Sequence, residues 1–178
     1  MKKVILDLCG GTGSWSRPYA MSDDYDVEIF TFPPNDVRLL KRLPRPVYGI
    51  LAAPPCTVFA AAGNRWKRTD EEIKEGLSVV DACLRIIQAT RPHFWALENP
   101  RGKLIHYLGK PRMYFDPCDF GDPYTKKTLL WGEFNPPIKK RVEPTEGSKM
   151  HMKYSGKQKK ERSITPPGFA KAFFEANR

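Results

Sequence analysis

The chain has 178 residues, 40% hydrophobic and 28% charged, which suits one globular domain with a real core. Its four cysteines show no short C-x-x-C spacing, so no zinc site is expected, and no apolar run approaches a membrane span. The net charge of +10 points to an anionic partner such as nucleic acid, or else to a solvated basic surface. No signal-peptide pattern precedes Lys2-Lys3-Val4, so a cytoplasmic protein with reduced thiols and no membrane contact is expected.

Val4 to Leu8 is a short apolar run followed by Gly10-Gly11-Thr12-Gly13, hence a strand and a glycine turn. Ser14 is placed to cap a helix beginning at Trp15. Val27 to Phe32 reads as a second strand ended by Pro33-Pro34, and Val37 to Leu43 as a short helix. Tyr48 to Ala53 is a buried strand that delivers Pro54-Pro55-Cys56. The clearest helix spans Asp70 to Thr90, because Ile73, Leu77, Val80, Leu84 and Ile87 repeat at spacings of four and three. Thr69 and Glu72 supply a capping box at its start. Phe94 to Leu97 reads as a strand leading into Glu98-Asn99-Pro100, and Asp116 to Gly121 as a loop. Thr128 to Trp131 is a further strand, and Phe169 to Ala176 a closing helix. Between them, Lys139 to Arg162 holds nine Lys or Arg against three Glu and reads as a mobile basic loop.

Strand, glycine turn and helix, repeated, argue for a single α/β domain over 1–178 with a doubly wound, mostly parallel sheet. Ligands of such sheets bind at the carboxyl ends of the strands. There the chain puts Cys9 to Gly13, Pro54 to Cys56 and Glu98 to Pro100. Cys56, on a backbone stiffened by two prolines, is either a covalent nucleophile or a small inert hydrophobe. The glycine turn either lets a backbone approach a ligand or is a structural bend. Glu98, after an apolar strand, is either a desolvated acid with a raised pKa or a capping or salt-bridged glutamate. Lys126 and Lys127 are either phosphate contacts or a solvated turn.

These segments occur in the order found in DNA cytosine-5 methyltransferases, and the chain resembles a small, divergent member of that family. Asp7 to Gly13 is similar to the motif that binds S-adenosylmethionine, and Asn35-Asp36-Val37 to the one whose aspartate meets the adenine. Pro54-Pro55-Cys56 matches the proline-cysteine nucleophile motif, and Glu98-Asn99-Pro100 resembles the glutamate-asparagine motif. Asp119 to Thr128 resembles the segment carrying a glutamine and two arginines, and Arg162-Ser163-Ile164-Thr165-Pro166 a late arginine–x–leucine–threonine–proline motif. The resemblance implies a cofactor site of Asp7, Cys9, Gly10, Gly11, Thr12, Gly13, Asp36 and Pro54. It implies catalysis by Cys56 and Glu98, with target contacts from Pro55, Asn99, Tyr124, Lys126, Lys127 and Arg162. Cys56 would add to carbon 6 of a flipped-out cytosine, Glu98 would hold or protonate its N3 edge, and carbon 5 would receive the methyl group.

The sequence departs from that pattern in four places. Phe32-Pro33-Pro34 stands where the family has an acid for the cofactor ribose. No asparagine-serine-valine motif occurs. Tyr124, Lys126 and Thr128 replace the glutamine and arginines. Only the basic stretch 133–161 occupies the place of a target-recognition domain. Sequence specificity is therefore expected to be low or supplied by a partner protein. Two alternatives stay open: modification of a pyrimidine in RNA or a free nucleotide, or with a group other than methyl; and a non-catalytic nucleic-acid-binding module that kept the fold.

Overall fold

The computed structural model describes residues 1–41, 43, 46–61, 67–149 and 163–178. A six-stranded sheet in the order β2-β1-β3-β4-β6-β5 forms its centre. The strands are β1 (Lys3–Leu8), β2 (Tyr25–Phe30), β3 (Val47–Ala52), β4 (Phe94–Pro100), β5 (Met113–Phe115) and β6 (Thr128–Glu133). The first four run parallel, and β6 lies antiparallel between β4 and β5. Helices α1 (Arg17–Ala20), α2 (Asp70–Thr90), α3 (Ile105–Leu108) and α4 (Pro167–Ala176) complete the expected α/β architecture.

Strand alternation divides the interior into two cores. Leu6, Leu8, Ile50, Ala52 and Leu97 pack with α2, while Ile5, Leu51, Phe94 and Ala96 pack with α1 and α4. Phe169 and Phe173 of α4 are fully buried, each worth about 1.5–3 kcal/mol relative to an exposed ring. Helix α2 has the bounds its periodicity predicts. Thr69 Oγ1 accepts the Glu72 N–H at 3.2 Å, and Glu72 Oε2 accepts the Thr69 N–H at 3.0 Å. Arg91, left-handed at φ 48°, ends it.

Several elements differ from the sequence expectation. The first helix starts at Arg17, not Trp15, because the turn through Gly13 uses up the intervening residues. Ser14 therefore caps nothing and its hydroxyl bonds Thr12 Oγ1. Strand β2 spans Tyr25–Phe30 and stops where its only neighbour, β1, stops. Val37 to Leu43 yields just a 3-10 turn at Val37–Leu39, since Leu40 is already extended. Asp116 to Gly121 holds a 3-10 turn, Pro117–Phe120, with its own capping box.

The described part of the basic stretch is irregular, as a loop should be, and is tied to the body of the domain. Lys140 N–H donates to Asp119 O and Val142 N–H to Cys118 O, each at 2.9 Å, and Thr125 pairs with Ser148. Lys139 and Arg141 both bridge Asp119, at 3.1 and 2.9 Å. Burial alone would raise the Asp119 pKa, but the Asp116 N–H and these two cations bring it below the usual range. Among the described residues no helix is long and apolar enough to cross a membrane.

Candidate active site

The carboxyl ends of β1, β3 and β4 border one cleft of about 1020 Å³. At one end lie Cys9, Gly10, Gly11 and Thr12, directly after β1. Gly10 has no room for a side chain, because a Cβ there would lie 2.4 Å from Cγ of Asp7. Asp7 itself is fully buried behind the turn. Its Oδ2 accepts from Ser16 Oγ at 2.5 Å, and its Oδ1 has no hydrogen-bond partner among the described residues. Burial pushes its pKa up to about 6, against the pull of the Ser16 hydrogen bonds. Gly13 is buried and turns back, its N–H donating to Gly10 O at 2.8 Å, and does not line the cleft.

Thr31 and Phe32 follow β2 into the same end of the cleft, with the Phe32 ring 72% exposed. Asp36 also lines it, but its carboxylate is already engaged. Arg38 Nη2 meets Asp36 Oδ2 at 2.6 Å, and Arg38 Nη1 reaches Glu75 Oε1 on α2 at 2.5 Å. The Arg38 side-chain and backbone donors hold the Asp36 carboxyl below its usual range. Arg38 and Glu75 were not singled out in the sequence, and Phe32 was named there only as a departure at the ribose position. Only an aromatic beside two prolines at a strand end hinted at Phe32.

At the other end lie Pro55, Cys56, Glu98 and Lys126. Cys56 opens a tight turn, its carbonyl accepting the N–H groups of Phe59 at 3.0 Å and Ala60 at 2.8 Å. Two contacts fix that loop to β4 and the residues just after it. Ala60 bridges Gly102, where a Cβ would lie 1.9 Å from Phe59 O, so only glycine lets the chains approach. Asn99 Nδ2 donates to Pro54 O at 3.0 Å. Asn99 is fully buried and lies outside the cleft, so it grips the Cys56 loop from behind.

Glu98 stands at the end of β4, beside β3. Burial raises its pKa, and the nearby Lys126 ammonium offsets part of that rise. Lys126 is only 7% exposed, and its N–H donates to Asp116 Oδ1 at 3.0 Å. Lys127 points away from the cleft and pairs with Asp116 at 2.6 Å. Tyr124 is also outside it, with Lys149 Nζ 3.6 Å from its ring centroid. Arg162 lies outside the described residues, while Ser163 and Thr165, one and three positions on, line the cleft. Among the described residues no cluster of His, Cys, Asp or Glu suits a metal ion.

No family model and no curated protein matches the chain. Among solved structures it is similar to one named as a candidate DNA modification methyltransferase encoded within a prophage (E. coli). The two share 18% identity with a TM-score of 0.54, over 80% of this chain and 52% of the other. That likeness establishes a shared fold. The chain spans about half the length of the protein it matches.

Proposed function

We propose that the protein is an S-adenosylmethionine-dependent DNA cytosine-5 methyltransferase working through a covalent Cys56 adduct. The observation that carries this reading is the pairing of Cys56 with Glu98, a carboxyl of raised pKa, on one cleft bordered by a glycine turn. The named activity of the structural neighbour, DNA modification by a methyltransferase, agrees with it.

The glycine end fits the cofactor. Gly10 and Gly11 let backbone lie close against a ligand, and the exposed Phe32 ring offers a face for adenine. Bound there, S-adenosylmethionine supplies an electrophilic methyl group for carbon 5 of the pyrimidine. At the other end Cys56 Sγ, as thiolate, forms the bond to carbon 6; once carbon 5 carries the methyl group, a base takes the carbon-5 proton and the sulfur–carbon 6 bond breaks, returning the thiolate. Glu98, whose pKa burial raises, donates from its acid form to N3 and so offsets the negative charge that the addition pushes into the ring. Lys126 holds the far side of the base or its phosphate. A base in a duplex must leave the stack to reach these groups.

A second reading keeps the Cys56 adduct but places it on RNA or a free nucleotide. One observation favours it: the described residues 136–149 lie against the body and form no separate reading domain. Duplex DNA carrying 5-fluorocytosine tests the first reading. With S-adenosylmethionine it should give a covalent complex that survives denaturing electrophoresis and disappears in Cys56→Ser. A complex that persists in that variant, or forms only with RNA or nucleotide pools, would sink it.

A further inference from the structure

The loop carrying Cys56 is gripped by side chains on both sides of the thiol. Before it, Asn99 Nδ2 donates to Pro54 O at 3.0 Å. After it, Arg68 Nη2 donates to Thr57 O at 3.1 Å, from eleven residues further along the chain. The Cys56 carbonyl between them accepts the N–H groups of Phe59 and Ala60. Arg68 is itself anchored. Its Nη1 meets Glu72 Oε1 at 3.1 Å, and Glu72 Oε2 accepts the N–H of Thr69, the N-cap of α2. A continuous link therefore runs from the residue after Cys56 to the first turn of α2.

We infer that Arg68 is a positioning residue, clamping the Cys56 loop to the amino end of α2 and so setting where the thiol sits in the cleft. Its consequence for catalysis rests on the proposed function; the clamp itself does not. Thr57 and Glu72 line the cleft and Arg68 does not, so Arg68 acts through the loop rather than on a ligand. Its side chain is 20% exposed, and its Nε is buried with no hydrogen-bond partner among the described residues. An unmet buried donor is costly, so this orientation is not the one that stability alone would select.

It is the orientation in which a rigid, planar fork reaches a carboxylate with one nitrogen and a carbonyl with the other. Lysine carries its charge on a single nitrogen and cannot hold both acceptors where they now lie. A lysine at this position keeps the ion pair with Glu72 at the expense of Thr57. Misplacing a reacting group by about 1 Å can cost about 10²-fold in rate. A tether one residue from Cys56 thus has more effect on the reaction than on the fold.

Arg68→Ala and Arg68→Lys are compared with the native chain. By NMR hydrogen exchange, the Phe59 and Ala60 amides should exchange at least about tenfold faster in both variants. Adduct formation with 5-fluorocytosine DNA should slow about 10- to 10²-fold in both, by rapid quench. S-adenosylmethionine affinity should stay within about twofold by calorimetry. The pH midpoint of Cys56 alkylation by iodoacetamide should not move, because the clamp places the thiol without charging it. A midpoint raised in Arg68→Ala, with a native adduct rate in Arg68→Lys, would make Arg68 an electrostatic partner and overturn the clamp. Amides that exchange at the native rate would overturn it as well. Equal losses of adduct rate and cofactor affinity would overturn the positioning role in favour of a general structural one. If the native chain forms no adduct, the proposed function fails, and hydrogen exchange alone still decides whether Arg68 holds the loop.

Discussion

The two ends of the cleft are built from different material. The Cys56 end presents side chains: a thiol at Cys56, a desolvated carboxyl at Glu98 and a nearly buried ammonium at Lys126. The glycine end presents backbone, held in shape by a buried aspartate behind it, with a partly exposed Arg38 bridge along its rim. Under the proposed function, chemistry at the first end rests on single functional groups, whereas binding at the second is shared among many weak contacts. Substitutions should separate the ends sharply, all-or-none on one side and graded on the other.

After the loss of Cys56 itself, the largest effect should come from Glu98→Gln, which keeps the shape and removes the acid. Adduct formation with 5-fluorocytosine DNA, followed by rapid quench, should slow about 10²- to 10⁴-fold while S-adenosylmethionine affinity stays unchanged. In the native protein the same rate should fall as pH rises through the raised Glu98 pKa, because only the protonated acid donates. Folding stability should decline over the same rise, since ionisation then leaves a desolvated carboxylate. A rate insensitive to Glu98→Gln would remove the distinction between the two ends.

An intermediate effect belongs to Gly10→Ala. The new methyl must displace the Asp7 carboxyl, which Ser16 pins, at a cost of about 1–3 kcal/mol in urea unfolding. Calorimetry should show weakened S-adenosylmethionine binding, while a covalent complex formed at saturating cofactor should persist. Equal loss of both would mean that the ends act as one unit. The smallest effect should follow Arg38→Ala. Its partners are partly exposed, with side-chain accessibility of 14% for Asp36 and 68% for Glu75. The loss in urea midpoint should correspond to less than about 1 kcal/mol. A several-fold larger loss would make the Arg38 bridge a structural element of the glycine end rather than its rim.

Helix α2 was legible to the residue because its information is local: an apolar stripe, a capping box and no internal breaker. The strands were legible for the same reason, although β2 was misjudged by two residues at each end and β4 and β6 run three and two residues past their expected ends. Its limits come from pairing with β1, which no local pattern records. Strand β5 and helix α3 escaped notice because three and four residues are too few to establish a period. The basic stretch looked mobile by composition. Hydrogen bonds to Cys118, Asp119 and Thr125, distant in sequence, hold its described part in place.

The order of residue types along the chain already determined a parallel α/β sheet with a thiol, a carboxyl and a glycine turn at its carboxyl edge. It did so because strand direction and edge position follow from the succession of elements. Which of those residues share one cleft was decided by tertiary structure alone. Glu98 and Asn99 are neighbours in sequence, yet one lines the cleft and the other is sealed behind it against Pro54. Successive side chains of a strand leave on opposite faces, so what each meets depends on the segments folded against it.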